Sequence, residues 1–132
     1  MPLGKMEKSY ATTRFVASED VIWPIEFAIV SARSPTGERW TEAENERADL
    51  ALWRLLDNGR WLKRIICISS TPPVKEPCWA FEMPFQDACD VGVTFRQEAL
   101  FWIRGDELFV SYCDHRRELR ALGRFRQRLD RY

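Results

Sequence analysis

The sequence has little that would mark it for one chemistry. Its 132 residues include a single histidine, His115, and no C-x-x-C pair. A zinc site would need Cys113 and His115 plus two distant partners, so no metal is expected. Charge of one sign is also lacking. Twenty Lys and Arg balance twenty Asp and Glu, and no overall field directs the chain to nucleic acid or a membrane surface. The apolar runs are short: Phe27 to Ala32 falls far below the roughly 20 residues that cross a bilayer. No apolar stretch of roughly 7–15 residues follows Lys5, Lys8 and Arg14, so the start does not read as a leader, and a cytoplasmic location is expected. Internal repeats, Gly/Ser linkers and the G-x-S-x-G, H-E-x-x-H and Walker patterns are missing. Neither a catalytic residue nor a cofactor is therefore expected.

What is there suits one globular domain spanning residues 1–132. The chain is 45% hydrophobic and 13% aromatic, enough to bury a core without staples. Cys67, Cys78, Cys89 and Cys113 lie in or beside apolar segments, as in Ile65-Ile66-Cys67-Ile68. There they read as buried free thiols, with a disulfide the main alternative.

Residues 9–17 and 21–30 look extended, and Arg33-Ser34-Pro35-Thr36-Gly37 marks a turn. Thr41-Glu42-Ala43-Glu44 has the form of a capping box, predicting a helix that stops at Asn58-Gly59. Its apolar stripe is Ala48, Ala51, Leu52, Leu55 and Leu56. Lys63–Ser69 and Cys78–Met83 read as strands separated by a proline loop, Ser70 to Pro77. A second helix is predicted over Phe85–Phe95. Ala99–Ile103 and Glu107–Cys113 form a hairpin through Arg104-Gly105-Asp106. Residues 115–132 read as a C-terminal amphipathic basic helix. Together these predict an α+β fold: a mostly antiparallel sheet with two helices on one face, of the ferredoxin-like split β-α-β plan, plus that last helix.

Several of these pieces recur in order in one family. They are Tyr10 with Thr13; Phe27 to Ala32 running into Pro35 and Gly37; Glu44-Asn45; Glu76-Pro77; Phe95 to Trp102; and Asp106-Glu107-Leu108 into Val110-Ser111. Over residues 9–113 the chain resembles the bacterial domain of unknown function 3293 family. The family usually has Asn before the loop proline, where this chain has Ser34. The resemblance implies a compact intracellular domain and carries no known reaction.

Three sets of residues are candidates for function. Asn45 shares a helical face with Leu52 and Leu56, so its amide should point inward and tie the Ser34–Gly37 loop to the helix. With Arg33, Ser34, Glu76 and Gln97 it could alternatively form a pocket for a nucleotide or a small enzyme's substrate. The C-terminal segment carries seven arginines against two acids, a net +5, which leaves −5 for residues 1–114. Arg116, Arg117, Arg120, Arg124, Arg128 and Arg131 share one face of the expected helix and could hold phosphates or an acidic partner. Trp40, Leu50, Trp53 and Trp61 are aromatic and apolar residues not easily hidden, as at protein interfaces.

The composite expectation is a small non-catalytic protein that binds another protein, with a homo-oligomer compatible. It would act as a regulator or inhibitor, in the manner of one encoded by a phage or mobile element. The alternatives are a nucleic-acid accessory protein led by the arginine segment, and a small enzyme or nucleotide binder at the Ser34/Asn45/Glu76/Gln97 corner.

Overall fold

The computed structural model describes residues 9–18, 20–35, 38–70 and 73–131. Lys5, Lys8, Thr36, Gly37, Thr71, Pro72 and Tyr132 lie outside them. In chain order the elements are β1 (Arg14–Ala17), β2 (Glu26–Val30), α1 (Glu42–Leu56), β3 (Leu62–Ser70), β4 (Pro73–Phe81), α2 (Phe85–Thr94), β5 (Ala99–Arg104), β6 (Glu107–Tyr112), β7 (Leu119–Arg124) and β8 (Leu129–Arg131). Eight strands make one curled sheet, a half-barrel, in the order β7-β6-β5-β2-β4-β3-β1-β8. Every neighbouring pair is antiparallel except β1 and β8.

This corrects the ferredoxin-like α+β expectation. The molecule is mostly sheet, and the basic C-terminal helix does not form. Residues of the last segment spaced three or four apart make a convincing helical wheel, but the backbone refuses it. Arg117 at φ 49° and Gly123 at φ 126° sit in the left-handed half of conformational space. A glycine inside a helix already costs about 1 kcal/mol. The open edge of β6 offers a full ladder of hydrogen bonds instead, and β7 takes it, from Glu107↔Arg124 to Ser111↔Leu119. The register shifts at Leu108/Phe109, leaving Leu122 as the extra residue of a bulge.

The proline loop is corrected too. Residues 73–77 continue β4, paired with β3 from Ser70↔Pro73 to Ile66↔Pro77. Proline is tolerated in this sheet because β2 leaves β4 at Val30↔Trp79. Beyond that point β4 pairs on one side only, and a missing N–H breaks no ladder on the other.

The curl follows from one connection. β7 and β8 occupy opposite edges of the sheet, yet only the turn Phe125–Arg128 separates them. Such a turn spans at most about 3.3–3.6 Å per residue, so the two edges must come close. Phe125 fills the space they enclose, with ring centroids 5.3 Å from Phe15, 5.4 Å from Phe27 and 5.0 Å from Trp23. Arg14 braces the junction, donating from Nε and Nη2 to the Asp130 carboxylate, each at 2.7 Å.

Alternation along β2 and β5 divides the core in two. Phe27, Ile29, Phe101 and Ile103 face the enclosed side with Phe15, Ile65 and Phe125. Ala28, Val30, Leu100 and Trp102 face the helices, meeting Leu52 and Leu56 of α1 and Ala88, Cys89 and Val91 of α2. The capping box forms as the sequence predicts: Thr41 N donates to Glu44 Oε1 at 3.0 Å, and Glu44 N to Thr41 Oγ1 at 3.1 Å. The stripe of α1 is narrower than predicted, because Ala51 and Leu55 are exposed. Asp49 seats the helix: it accepts from Trp79 Nε1 at 3.1 Å and pairs with Arg64, whose guanidinium lies 3.9 Å over the Trp79 ring.

Candidate functional site

Where β2 ends, the half-barrel is open on one side, and a part-enclosed cavity of about 240 Å³ lies there. Five separate segments line it, and four of them are brought there for local reasons. Ser31, the residue after β2, turns the chain by accepting from Arg33 N at 3.0 Å, and its hydroxyl donates to Glu76 Oε1 at 2.6 Å. Glu76 comes from the one-sided stretch of β4, opposite Cys67 of β3. Gln97 arrives through the end of α2. Arg96 adopts φ 56°, the left-handed stop, and Gln97 N donates back to Gly92 O at 3.0 Å. The Gln97 amide then donates to Arg33 O at 2.9 Å and Phe95 O at 3.0 Å. Tyr10 closes the fourth side, its hydroxyl bonded to the Glu98 carboxylate.

Asn45 supports this cavity from behind. Its Oδ1 accepts from Ser34 N at 2.9 Å and from Ser34 Oγ at 3.3 Å, fastening the 33–35 segment to α1. Of the five pocket candidates, Ser34, Glu76 and Gln97 line the cavity. Asn45 holds Ser34 in place, and Arg33 turns away to pair with Glu42 at 3.2 Å. Tyr10, Ser31 and Glu98 join the site although in the sequence they belong only to the pieces of the family resemblance and none of them stands out as a site residue. A phenol before a strand, a serine after one and a glutamate beside an apolar run have no spacing that marks them.

Two carboxylates, Glu76 and Glu98, line the cavity, and no Lys, Arg or His does so among the described residues. Cys67 and Cys78 form part of its wall as free thiols, and Cys89 is a third buried thiol, with Cys113 half-buried. Among the described residues, no group of three His, Cys, Asp or Glu is placed to hold a metal ion. No helix of the described residues is long and apolar enough to cross a membrane.

Burial governs the titration of these groups. It pushes the Cys78 thiol well up, aided by the neighbouring Cys67. Burial, then the proximity of Cys89 and Asp114, pushes Cys113 up to about 12. Burial, then the Glu98 carboxylate, raises the Tyr10 phenol above its ordinary value. In each case the folded state holds its proton more tightly than the unfolded chain. For Cys113 that contribution is whole below the ordinary thiol value of 9.0 and is lost as pH rises towards about 12. Urea midpoints should therefore hold level up to about 9.0 and fall above it, and Cys113→Ala should soften the fall. A wild-type midpoint that stays flat through this range would contradict the burial of these thiols.

The other two candidate sets are dispersed. Arg117 donates to Gln86 Oε1 at 2.8 Å and pairs with Asp90 at 2.6 Å; Arg116 pairs with Asp114 at 2.8 Å. Arg128 points inward, donating to the carbonyls of Tyr10 and Leu122. Arg120, Arg124 and Arg131 remain at the surface on two different strands. Trp61 packs against the enclosed core beside Trp23 and Phe27, and Trp40 is part-buried. Leu50 and Trp53 are 44% and 38% exposed on α1, where Leu55 joins them at 48%.

No family model, curated protein or solved structure matches the chain.

Proposed function

We propose that the protein binds a small molecule in the cavity beside the end of β2, with Glu76 and Glu98 as its charged recognition groups. One observation carries this reading. Residues distant in the chain, Tyr10, Ser31, Ser34, Glu76, Gln97 and Glu98, converge on one concave, part-enclosed space. Polar groups gathered around an apolar floor are the usual form of a ligand site. The hydrogen bonds that fix Ser31, Ser34 and Gln97 make that space pre-formed, which lowers the ordering cost of binding. A nucleotide fits poorly, because its phosphates would meet carboxylates and no basic side chain among the described lining residues.

A fragment screen by NMR tests the reading. Hits from a library of mixed charge should shift the amide resonances of Ser31, Glu76 and Gln97. Val74 lies on the rim and is 48% exposed, so Val74→Trp should leave the fold intact and abolish those shifts. Hits that cluster elsewhere, or that ignore the tryptophan, would refute the site.

A second reading is favoured by the exposed Leu50, Trp53 and Leu55 on α1: a protein partner seated on that helix. Capture from native lysate should then lose a partner with Trp53→Ala. Identical captures would end that reading.

A further inference from the structure

We infer that the outer face of α1 is a self-complementary docking surface, on which a second copy of this chain seats antiparallel about Leu50; this rests on the second reading above, that α1 carries a protein partner. Asn45, Leu52 and Leu56 fix the buried side of the helix. On the side away from it, Glu46, Arg47, Trp53 and Arg54 lie three or four places from Leu50, and all of them are exposed. Leu50 and Trp53 are the apolar part of this face, 44% and 38% exposed. Leu55, five residues beyond Leu50, lies round the helix and is not part of it. The flanking charges are left over from the fold. Glu42 pairs with Arg33 at 3.2 Å, Glu44 closes the capping box, and Asp49 pairs with Arg64. Among the described residues, no hydrogen bond or ion pair reaches Glu46 or Arg54.

Glu46 and Arg54 cannot satisfy each other within one helix, because the rise between them is about 12 Å. On its own helix Glu46 has Glu42 four residues before it and Asp49 three after, both of its own sign. An antiparallel copy changes this. With Leu50 set against Leu50 of the second copy, the residue four places before it meets the residue four places after it, so Glu46 faces Arg54. Three places out, Arg47 faces Trp53, a cation against an aromatic ring. Two-fold symmetry makes each of these contacts twice. A parallel pair would set Arg54 against Arg54 and Glu46 against Glu46, and would align the two helix dipoles instead of opposing them. The match is a property of the face itself, which singles out a second copy among protein partners. One helix face per subunit is a small interface, so the dimer is weak and forms at high concentration.

Sedimentation equilibrium of the full chain from about 10 μM to about 1 mM, where a small interface associates, tests the pairing. Wild type should pass from monomer to dimer across this range. Glu46→Arg and Arg54→Glu should each weaken the dimer about tenfold or more, because each sets like charges together twice. Mixed in equal amounts, the two variants should pair within about threefold of wild type, since every arginine at these positions then faces a glutamate again. Both positions are exposed, so the amide spectrum away from α1 should stay unchanged as proof of fold. A wild type that remains monomeric over the whole range overturns the second copy; the lysate capture then decides separately whether another protein occupies α1. A dimer that either reversal leaves intact, or variants that do not recover on mixing, puts the interface elsewhere and also overturns it.

Discussion

Replacing Phe125 by alanine is expected to cost the protein about 3–5 kcal/mol of stability in urea unfolding. The ring is 2% exposed and touches Phe15 of β1, Phe27 of β2 and Trp23 of the loop between them. It sits in the turn that joins the two edge strands, so its removal opens a cavity and releases that turn together. Collapse of the site can repair little of the loss, because Phe15 and Phe27 belong to strands held by their own ladders. Small domains have about 5–15 kcal/mol in all, so the alanine variant loses a large share of its stability. Phe125→Leu keeps most of the volume and should cost less than about 1.5 kcal/mol if it repacks. Hydrogen exchange should show the β1–β8 pair opening first in both variants. An alanine variant within about 1 kcal/mol of wild type would mean that Phe125 does not hold the edges together.

The second large effect is expected at Gly92, inside α2. A Cβ built there would lie 2.5 Å from Cys113 Sγ and 3.6 Å from Leu100 Cδ2. Alanine would gain helix propensity, and Cys113 can yield by turning about one bond, so Gly92→Ala should be mild. Gly92→Val has no such escape and should cost about 1–3 kcal/mol. Cys113→Ala removes the sulfur that the new side chain strikes, and the double variant should recover much of the loss in a double-mutant cycle. Purely additive losses would show that the close approach is not the cause. The same contact reaches the cavity, because Cys113 N donates to Glu98 O at 2.8 Å. Gly92→Val should thus also shift the amide resonance of Glu98.

Part of the site is legible in the chain. Asn45 reads as an inward amide because it shares a helical face with Leu52 and Leu56, and the structure places it on Ser34. Glu76 and Gln97 can be named as polar residues beside apolar strands, but nothing local says that they share a cavity. That depends on β2 parting from β4 at Trp79, which leaves Glu76 on a one-sided stretch of strand. It depends also on the left-handed turn at Arg96 that folds Gln97 under α2. Tyr10 and Glu98 carry no spacing signal at all, because they meet only once the sheet has curled.

Local chemistry by itself determined the capping box at Thr41, the hairpin through Gly105 and the approximate limits of both helices. These depend on hydrogen bonds and backbone preferences among residues a few places apart. Tertiary structure alone decided the fate of residues 115–131. Their arginine and leucine spacing suits a helix and a strand alike, and the choice fell to the open edge of β6, which lies outside the segment. The same is true of the cavity: its walls come from β2, β3, β4, β5 and the segment before β1, and only the curl of the sheet sets them around one space.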